Sequence, residues 1–267
     1  MRFGRGSTWM MRAAVVVVLG FVYVPLVVVV VNSLNADPSF AWPPRGFTTR
    51  WWEAAASNTG MLEALQQSVV IGLAATVVAL VLGSLAAFAL QRYHFFGREA
   101  VSLLIILPIA LPGIVTGIAL NNAFTTILGV GISVWSLVIA HATFCIVVVF
   151  NNVIARLRRL GGSIDEASMD LGATRWTTFR LVTFPNLRSA LLAGGLLAFA
   201  LSFDEIVVTT FTAPPDIQTL PLWIYNNLLS RQQAAIVNVA AAGLVLVSLV
   251  PIYLSQRLAG DVTGSRY

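Results

Sequence analysis

The sequence contains no lysine, because all 16 of its basic residues are arginine. A phosphate-binding loop of the Walker A type needs a lysine to reach the nucleotide phosphates, so this chain cannot hold ATP in such a loop. Its one cysteine, Cys145, cannot form an intrachain disulfide and lies in an apolar run, which favours a buried inert thiol. Neither histidine, His94 or His141, has a carboxylate or cysteine at ligand spacing, so no metal site is predicted.

Charged residues are also scarce: they make up 10% of the chain, against roughly 25% in soluble domains. Hydrophobic residues account for 58%, and the mean hydropathy is +0.85. A soluble protein of this length could not bury so much apolar surface, so the composition indicates a membrane protein. The net charge of +5 does not indicate nucleic-acid binding, because the arginines are distributed between apolar runs and form no single basic face.

Six apolar runs are long enough to cross a bilayer, which takes about 20 helical residues. They lie near 13–31, 69–90, 101–120, 134–155, 190–211 and 234–255. The first is longer than the apolar region of a signal peptide and no A-x-A cleavage site follows it directly, so it is predicted to be a retained anchor. The predicted fold class is an all-α membrane protein with six transmembrane helices in a single domain, 1–267.

The arginines predict the orientation of these runs. Thirteen of the 16 lie in alternate segments: the N-terminus, 91–100, 156–189 and the C-terminal tail. The opposite segments carry only Arg45, Arg50 and Arg231. The positive-inside rule therefore places both termini and the 156–189 loop in the cytoplasm.

The third run contains the sequence LPIALPG, with Pro108 and Pro112 four residues apart. Each proline removes a backbone hydrogen bond and bends a helix, and such bends persist in membranes where neighbouring helices or a cavity satisfy the freed carbonyls. The bend is either structural or part of a transport pathway. Gly113 and Gly117 have the GxxxG spacing that lets another helix approach closely.

The fifth run is interrupted by two acids, Asp204 and Glu205, with no basic residue within a helical turn. A carboxylate facing lipid at the bilayer centre costs roughly 2.5–3.5 kcal/mol, so these groups are expected to face a polar interior or another chain. They form either an anionic constriction that favours cationic solutes or a structural anchor paired with a partner subunit. The segment that follows, 212–228, either re-enters the membrane or forms an outer lip.

The 156–189 loop contains an ordered polar stretch. The stretch from Asp165 to Asp170 is predicted to be a short helix with acids in its first turn, Gly172 permits a turn, and Thr174 can cap a second helix. Pro185 is predicted to end that second helix. Two short helices joined at a glycine would form a compact knob outside the membrane.

The spacing of this stretch matches a known signature. The loop reads Glu166-Ala167-Ser168, then Gly172 after three residues, then Val182-Thr183-Phe184-Pro185 after nine more. The pattern resembles the EAA, three residues, G, nine residues, I-x-L-P signature of permease subunits of binding-protein-dependent ABC importers. Ser168, Val182 and Phe184 replace the usual Ala, Ile and Leu. Nearly the whole chain is similar to the polyamine (spermidine/putrescine) branch of these permeases, for example in LPIALPGIVTGIAL and SFDEIVVTTFTAPPDIQTLPLWIY.

The resemblance implies a type I ABC importer permease fold in a bacterial inner membrane. It implies a heterodimer with a homologous permease, two ATPase subunits that carry Mg-ATP, and an extracytoplasmic solute-binding protein, with no cofactor in this chain. Glu166 would contact a basic residue in a cleft of the ATPase, Gly172 would allow the turn, and Pro185 would end the coupling helix. Asp204 and Glu205 would become candidate contacts for the ammonium groups of a polyamine.

Other functions are also compatible with parts of the pattern. Related permeases carry ferric iron, thiamine, phosphonates or opines. An ion-coupled secondary transporter could use two intramembrane acids, although six spans without a clear internal repeat are few for that mechanism. A membrane enzyme is disfavoured because the sequence has no H-E-x-x-H, no G-x-G-D and no plausible Ser/His pair.

Overall fold

A computed structural model describes residues 5–37 and 42–260, and in these ranges it contains helices and no β-strand. This agrees with the predicted all-α class. The helices are α1 (Arg5–Ser33), α2 (Arg50–Ala56), α3 (Thr59–Arg92), α4 (Arg98–Ala110), α5 (Gly113–Asn122), α6 (Val134–Leu160), α7 (Ser163–Asp170), α8 (Arg175–Thr178), α9 (Phe184–Phe203), α10 (Val207–Thr212), α11 (Leu220–Asn227) and α12 (Ala234–Gly260). Two π-helical turns, Ala123–Ile127 and Phe179–Thr183, follow α5 and α8.

The described residues fall into two compact units. One contains the described residues up to Leu62 together with Ile224–Val247, and the other contains Glu63–Trp223 together with the described residues from Ser248 onward. In the first unit the indole Nε1 of Trp51 donates to the carbonyl of Asn35 at 2.9 Å. In the second unit α6 packs along α9, and its Val149, Phe150 and Val153 are fully buried in an apolar core.

Four helices in the described ranges are long and apolar enough to cross a membrane, and a bent pair raises the number to five. The four are Trp9–Ser33, Thr59–Arg92, Val134–Leu160 and Arg175–Phe203, which contain the first, second, fourth and most of the fifth predicted runs. The sixth run falls in α12, where the apolar part with described side chains is Ala234–Val250. Six spans and two cytoplasmic termini therefore stay predictions; Arg2 and Arg266 lie outside the described residues.

The third predicted run, 101–120, is a bent pair of helices and not one straight span. The pair Arg98–Ala110 and Gly113–Ile127 turns through 108°. Leu111, at the break, has extended dihedrals (φ −83°, ψ 146°). A residue before a proline is disfavoured in the helical region, and Pro112 follows it, so the sequence itself directs this bend. Pro108 lies inside α4.

The GxxxG pair of α5 is covered by α10. Gly117 lies so close to Phe211 that a Cβ at this position would be 2.8 Å from the phenyl ring, and a Cβ on Gly113 would be 3.2 Å from Val207. The contact is secured by Asn121, whose Nδ2 donates to the carbonyl of Phe211 at 2.6 Å. The two glycines therefore allow the close approach of another helix that their spacing predicts, and that helix is α10.

A Gly117→Ala variant should be less stable than the unmodified chain. The added methyl must displace the Phe211 ring, and overpacking of this kind costs roughly 1–3 kcal/mol. Gly243→Ala is the matched control, because no atom lies within 4 Å of a Cβ at that helical position. Thermal unfolding of the detergent-solubilised proteins measures the effect; equal unfolding temperatures for the two variants would contradict the close packing of α5 on α10.

The fifth predicted run, 190–211, is not a continuous helix. α9 ends at Phe203, residues 204–206 interrupt the helix, and α10 resumes at Val207. The two acids thus lie in a break and not on successive positions of a helical surface. A break exposes backbone groups that the acids can engage, as described below.

Pro185 does not end a helix, which corrects the prediction. The helical path runs from α8 through the π-turn Phe179–Thr183 into α9, where Pro185 occupies the first turn. Proline is tolerated in a first turn because its missing N–H would lack an intrahelical partner there. The π-turn directly before it widens the helix where the proline ring would otherwise meet a carbonyl. Pro185 therefore lies within the helical path Arg175–Phe203, in the first turn of α9.

Candidate functional site

Polar groups gather at two places in the second unit. One is the segment 161–183 between α6 and α9, called here the polar loop; it is shorter than the predicted 156–189 because both helices extend beyond their apolar runs. The other is the interruption at 204–206, called here the helix break.

The polar loop turns at Gly172 in a Schellman motif. The N–H of Ala173 donates to the carbonyl of Ser168 at 3.2 Å, and the N–H of Gly172 donates to that of Met169 at 2.9 Å. These two bonds end α7, and they require a left-handed residue after its C-cap. Gly172 has φ +88°, which glycine adopts without steric cost. The turn predicted from the sequence is confirmed.

Thr174 caps α8 as predicted, because its Oγ1 accepts a hydrogen bond from the N–H of Thr177 at 3.2 Å. A second bond joins the two short helices directly: the hydroxyls of Ser168 and Thr178 are 3.1 Å apart. Thr178 is buried beneath this contact. The loop is therefore an ordered helical knob.

Asp165 ties the knob to two long helices. Its carboxylate forms an ion pair with Arg92 at the end of α3 and accepts a hydrogen bond from Thr183 Oγ1 at 2.9 Å, next to α9. Nearby, the Arg156 Nε of α6 donates to the carbonyl of Asn186 in α9 at 2.9 Å. Asp165 therefore connects the knob to α3 through Arg92 and to the segment before α9 through Thr183. The sequence reasoning did not single out Asp165, although it precedes the EAA-like triplet.

The residues of the signature divide by exposure. Glu166, Ala167 and Gly172 are exposed on the knob, while Ser168 and Val182 are half-buried. Phe184 and Pro185 are exposed at the beginning of α9. Sequence reasoning missed Leu171, whose side chain is 90% exposed beside Gly172. Met169 and Trp176 of the same knob are also exposed, so several apolar side chains, and not Leu171 alone, are available for contact with another protein.

The two acids of the helix break have different surroundings. Glu205 is half-buried, and its Oε1 accepts a hydrogen bond from the N–H of Val208 at 2.8 Å, so this carboxylate caps α10. Asp204 is exposed, and among the described residues its carboxylate has no hydrogen-bond or ion-pair partner. A carboxylate in a helix break with no internal partner is available to a cation.

A buried histidine lies against the helix break. His141 of α6 is fully buried, with its Nδ1 2.7 Å from Ser202 Oγ and its Nε2 2.8 Å from Thr209 Oγ1. The structure brings these three residues together from distant positions in the chain. Within residues 5–37 and 42–260, no three His, Cys, Asp or Glu residues are grouped so as to hold a metal ion.

The chain has several helices long enough to cross a membrane, an ordered polar knob between two of them, and a broken span with an exposed carboxylate. This is the architecture of a solute permease. Residues 79–263 match the family described as binding-protein-dependent transport system inner membrane component. The chain belongs to that family, which confirms the resemblance seen in the sequence.

Similar proteins cover nearly the full chain. The spermidine/putrescine transport system permease protein PotC of Escherichia coli is 35% identical over 246 residues, 92% of each chain. The putrescine transport system permease protein PotI of Escherichia coli is 31% identical over 258 residues, 91% of this chain and 90% of its own. The putative 2-aminoethylphosphonate transport system permease protein PhnV of Salmonella typhimurium is 29% identical over 95% of this chain and 93% of its own.

Solved structures confirm the fold. A chain of a bacterial ABC transporter involved in the import of the acidic polysaccharide alginate superposes with a TM-score of 0.67 at 14% identity, covering 98% of this chain and 99% of its own. A second structure of an alginate transporter, in complex with a periplasmic protein bound to an alginate pentasaccharide, gives a TM-score of 0.66 at 14% identity over 96% and 94%. The fold is that of an ABC importer permease.

Proposed function

We propose that this chain forms half of the translocation pathway of an ATP-driven importer for a small cationic solute, a polyamine such as spermidine or putrescine, in a bacterial inner membrane. The observation that carries the proposal is Asp204, an exposed carboxylate without an internal partner in a broken membrane span. The relatives PotC and PotI, which align over more than nine-tenths of the chain, support a polyamine as the solute.

The two acids take different roles in this proposal. Asp204 contacts an ammonium group of the passing solute, because opposite charges attract strongly where water is partly excluded. Glu205 is committed to the amide of Val208 and maintains the beginning of α10. The anionic constriction is thus assigned to Asp204 alone, and Glu205 takes a structural role within its own chain in place of the expected pairing with a partner subunit.

The polar knob is proposed as the docking element for a separate ATPase. Glu166 is exposed and offers a negative charge to a basic residue, and the exposed Leu171 offers an apolar anchor beside it. Asp165 would transmit the movement of the knob to α3 and α9 through Arg92 and Thr183. Since the chain has no lysine for a Walker A loop, Mg-ATP would be bound by that partner.

The complete importer would contain a homologous permease as heterodimer partner, two ATPase subunits and an extracytoplasmic solute-binding protein. The family description, a component of a binding-protein-dependent system, supports the last of these. Closure of the ATPase subunits around ATP would draw the knobs together and switch the pathway between its inward and outward openings. This is alternating access driven from the cytoplasmic side.

A phosphonate is the alternative solute that an observation favours, because PhnV aligns over 95% of the chain. Asp204 alone does not separate the two solutes, because 2-aminoethylphosphonate also carries an ammonium group; the higher identity to PotC, 35% against 29%, favours a polyamine.

Uptake in cells that lack this chain, with and without its gene restored, tests the proposal. We expect restoration of radiolabelled spermidine or putrescine uptake and no restoration for 2-aminoethylphosphonate, ferric iron or thiamine. Unlabelled polyamine should compete with the label. Restored uptake of 2-aminoethylphosphonate alone would overturn the polyamine assignment, and uptake that persists after loss of the partner ATPase would overturn ATP coupling.

A further inference from the structure

The helix break is held on both sides by one side chain. The ring of His141 on α6 reaches Ser202 in the last turn of α9 and Thr209 in the first turn of α10, at 2.7 and 2.8 Å. Only residues 204–206 separate these two helices. The imidazole therefore bridges the interruption from a neighbouring helix.

One tautomer of His141 satisfies every bond of this network. Thr209 Oγ1 lies 3.0 Å from the carbonyl of Glu205 and can donate its proton there, which leaves its oxygen to accept from His141 Nε2. In this arrangement Nδ1 accepts from the hydroxyl of Ser202. With this assignment every donor in the chain of bonds has an acceptor, and a neutral histidine satisfies all of them.

The three side chains are shielded from solvent: His141 and Thr209 are 0% exposed and Ser202 is 2% exposed. Buried polar groups cost free energy if one partner is removed, because the remaining groups lose their hydrogen bonds without regaining water. A network of this kind holds its members in one arrangement. Asp204 lies between Ser202 and Thr209 in the chain, and it is exposed and unpaired among the described residues.

We infer that His141, Ser202 and Thr209 are positioning residues that hold the helix break in the shape that presents Asp204 to the solute. The inference rests on the proposed function, because it assigns these residues a role through Asp204. In this role His141 does not touch the solute, and its ring stays neutral. Its function is to connect α9 and α10 across residues 204–206, which include the proposed solute contact Asp204.

The test compares two threonines of α10 that are both fully buried. Thr209→Val removes the hydroxyl that meets His141, whereas Thr212→Val removes one that donates only to the carbonyl of Val208 in its own helix. In cells with the complete importer, we expect Thr209→Val to raise the KM for radiolabelled spermidine about tenfold, as loss of a buried hydrogen bond can. Thr212→Val should leave the KM within about twofold, and Thr209→Ser, which keeps the hydroxyl, should restore it.

A double variant separates positioning from general destabilisation. If Thr209 acts through Asp204, then Asp204→Asn/Thr209→Val should have the same KM as Asp204→Asn alone, because residues that act as a unit are not additive. A double variant whose KM is raised by the product of the two single effects would overturn the inference. Ser202→Ala, which removes the other partner of the ring, is the second variant should Thr209→Val fail to accumulate in the membrane.

The two proposals fail in different ways. If Asp204→Asn raises the KM while Thr209→Val behaves like Thr212→Val, the positioning role is wrong and the solute contact stands. If Asp204→Asn leaves the KM unchanged, the solute contact is wrong and the positioning role fails with it.

Discussion

Gly172→Pro is expected to abolish solute uptake while the chain still inserts into the membrane. Proline holds φ near −65°, whereas Gly172 has φ +88°, and proline also lacks the N–H that donates to Met169. The Schellman turn cannot form, so α7 and α8 separate and the exposed Glu166 and Leu171 lose their arrangement. The measurements are radiolabelled uptake, abundance in the membrane fraction, and co-purification of the ATPase.

Gly172→Asn is the matched control for this experiment. A Cβ at this position would meet no atom within 4 Å, so substitutions here test the backbone conformation alone. Asparagine enters the left-handed region more readily than other residues, while a typical L-residue pays roughly 1–2 kcal/mol there. We expect Gly172→Asn to retain most uptake and Gly172→Val to lose most of it. Full transport by Gly172→Pro would contradict the coupling role of the knob.

Asp204→Asn is expected to reduce the affinity for a cationic solute by roughly 10- to 100-fold, the loss typical of a hydrogen bond to a charged group. The substitution is nearly isosteric and the carboxylate has no internal partner among the described residues, so little else should change. Initial uptake rates measured over a range of spermidine concentrations give the change in KM.

Glu205→Gln tests whether the adjacent acid has the different role that its contacts indicate. The carbonyl oxygen of glutamine can still accept the hydrogen bond from the N–H of Val208, so the cap of α10 is retained. We expect a KM close to that of the unmodified protein. A larger effect for Glu205→Gln than for Asp204→Asn would reverse the roles of the two acids.

Several local features could be predicted from the sequence because they depend on residues a few positions apart. Gly172 ends a short helix, Thr174 caps the next one, and Pro112 bends the third span at the residue before it. The apolar runs predict long helices for the same reason, although they underestimate helix length at the polar ends, where α6 continues to Leu160.

The prediction for Pro185 applied the rule that proline ends a helix, but the residue lies in the first turn of the next helix, α9. A proline near the end of a polar segment is compatible with the last residues of one helix or with the first turn of the next. The π-turn that joins α8 to α9 decides between them, and it cannot be read from the proline itself.

The sequence alone determined the helical class, the family and the signature residues of the polar knob, because hydropathy, capping and motif spacing are properties of neighbouring residues. Only the tertiary structure decided which acid is available to a solute and what holds it there. Asp204 and Glu205 are adjacent acids that the sequence does not distinguish. They differ in the structure because Glu205 accepts a hydrogen bond from the N–H of Val208, whereas Asp204 has no partner among the described residues. His141 lies 61 and 68 positions from Ser202 and Thr209, and only the packing of α6 against α9 and α10 brings its two nitrogens to their hydroxyls.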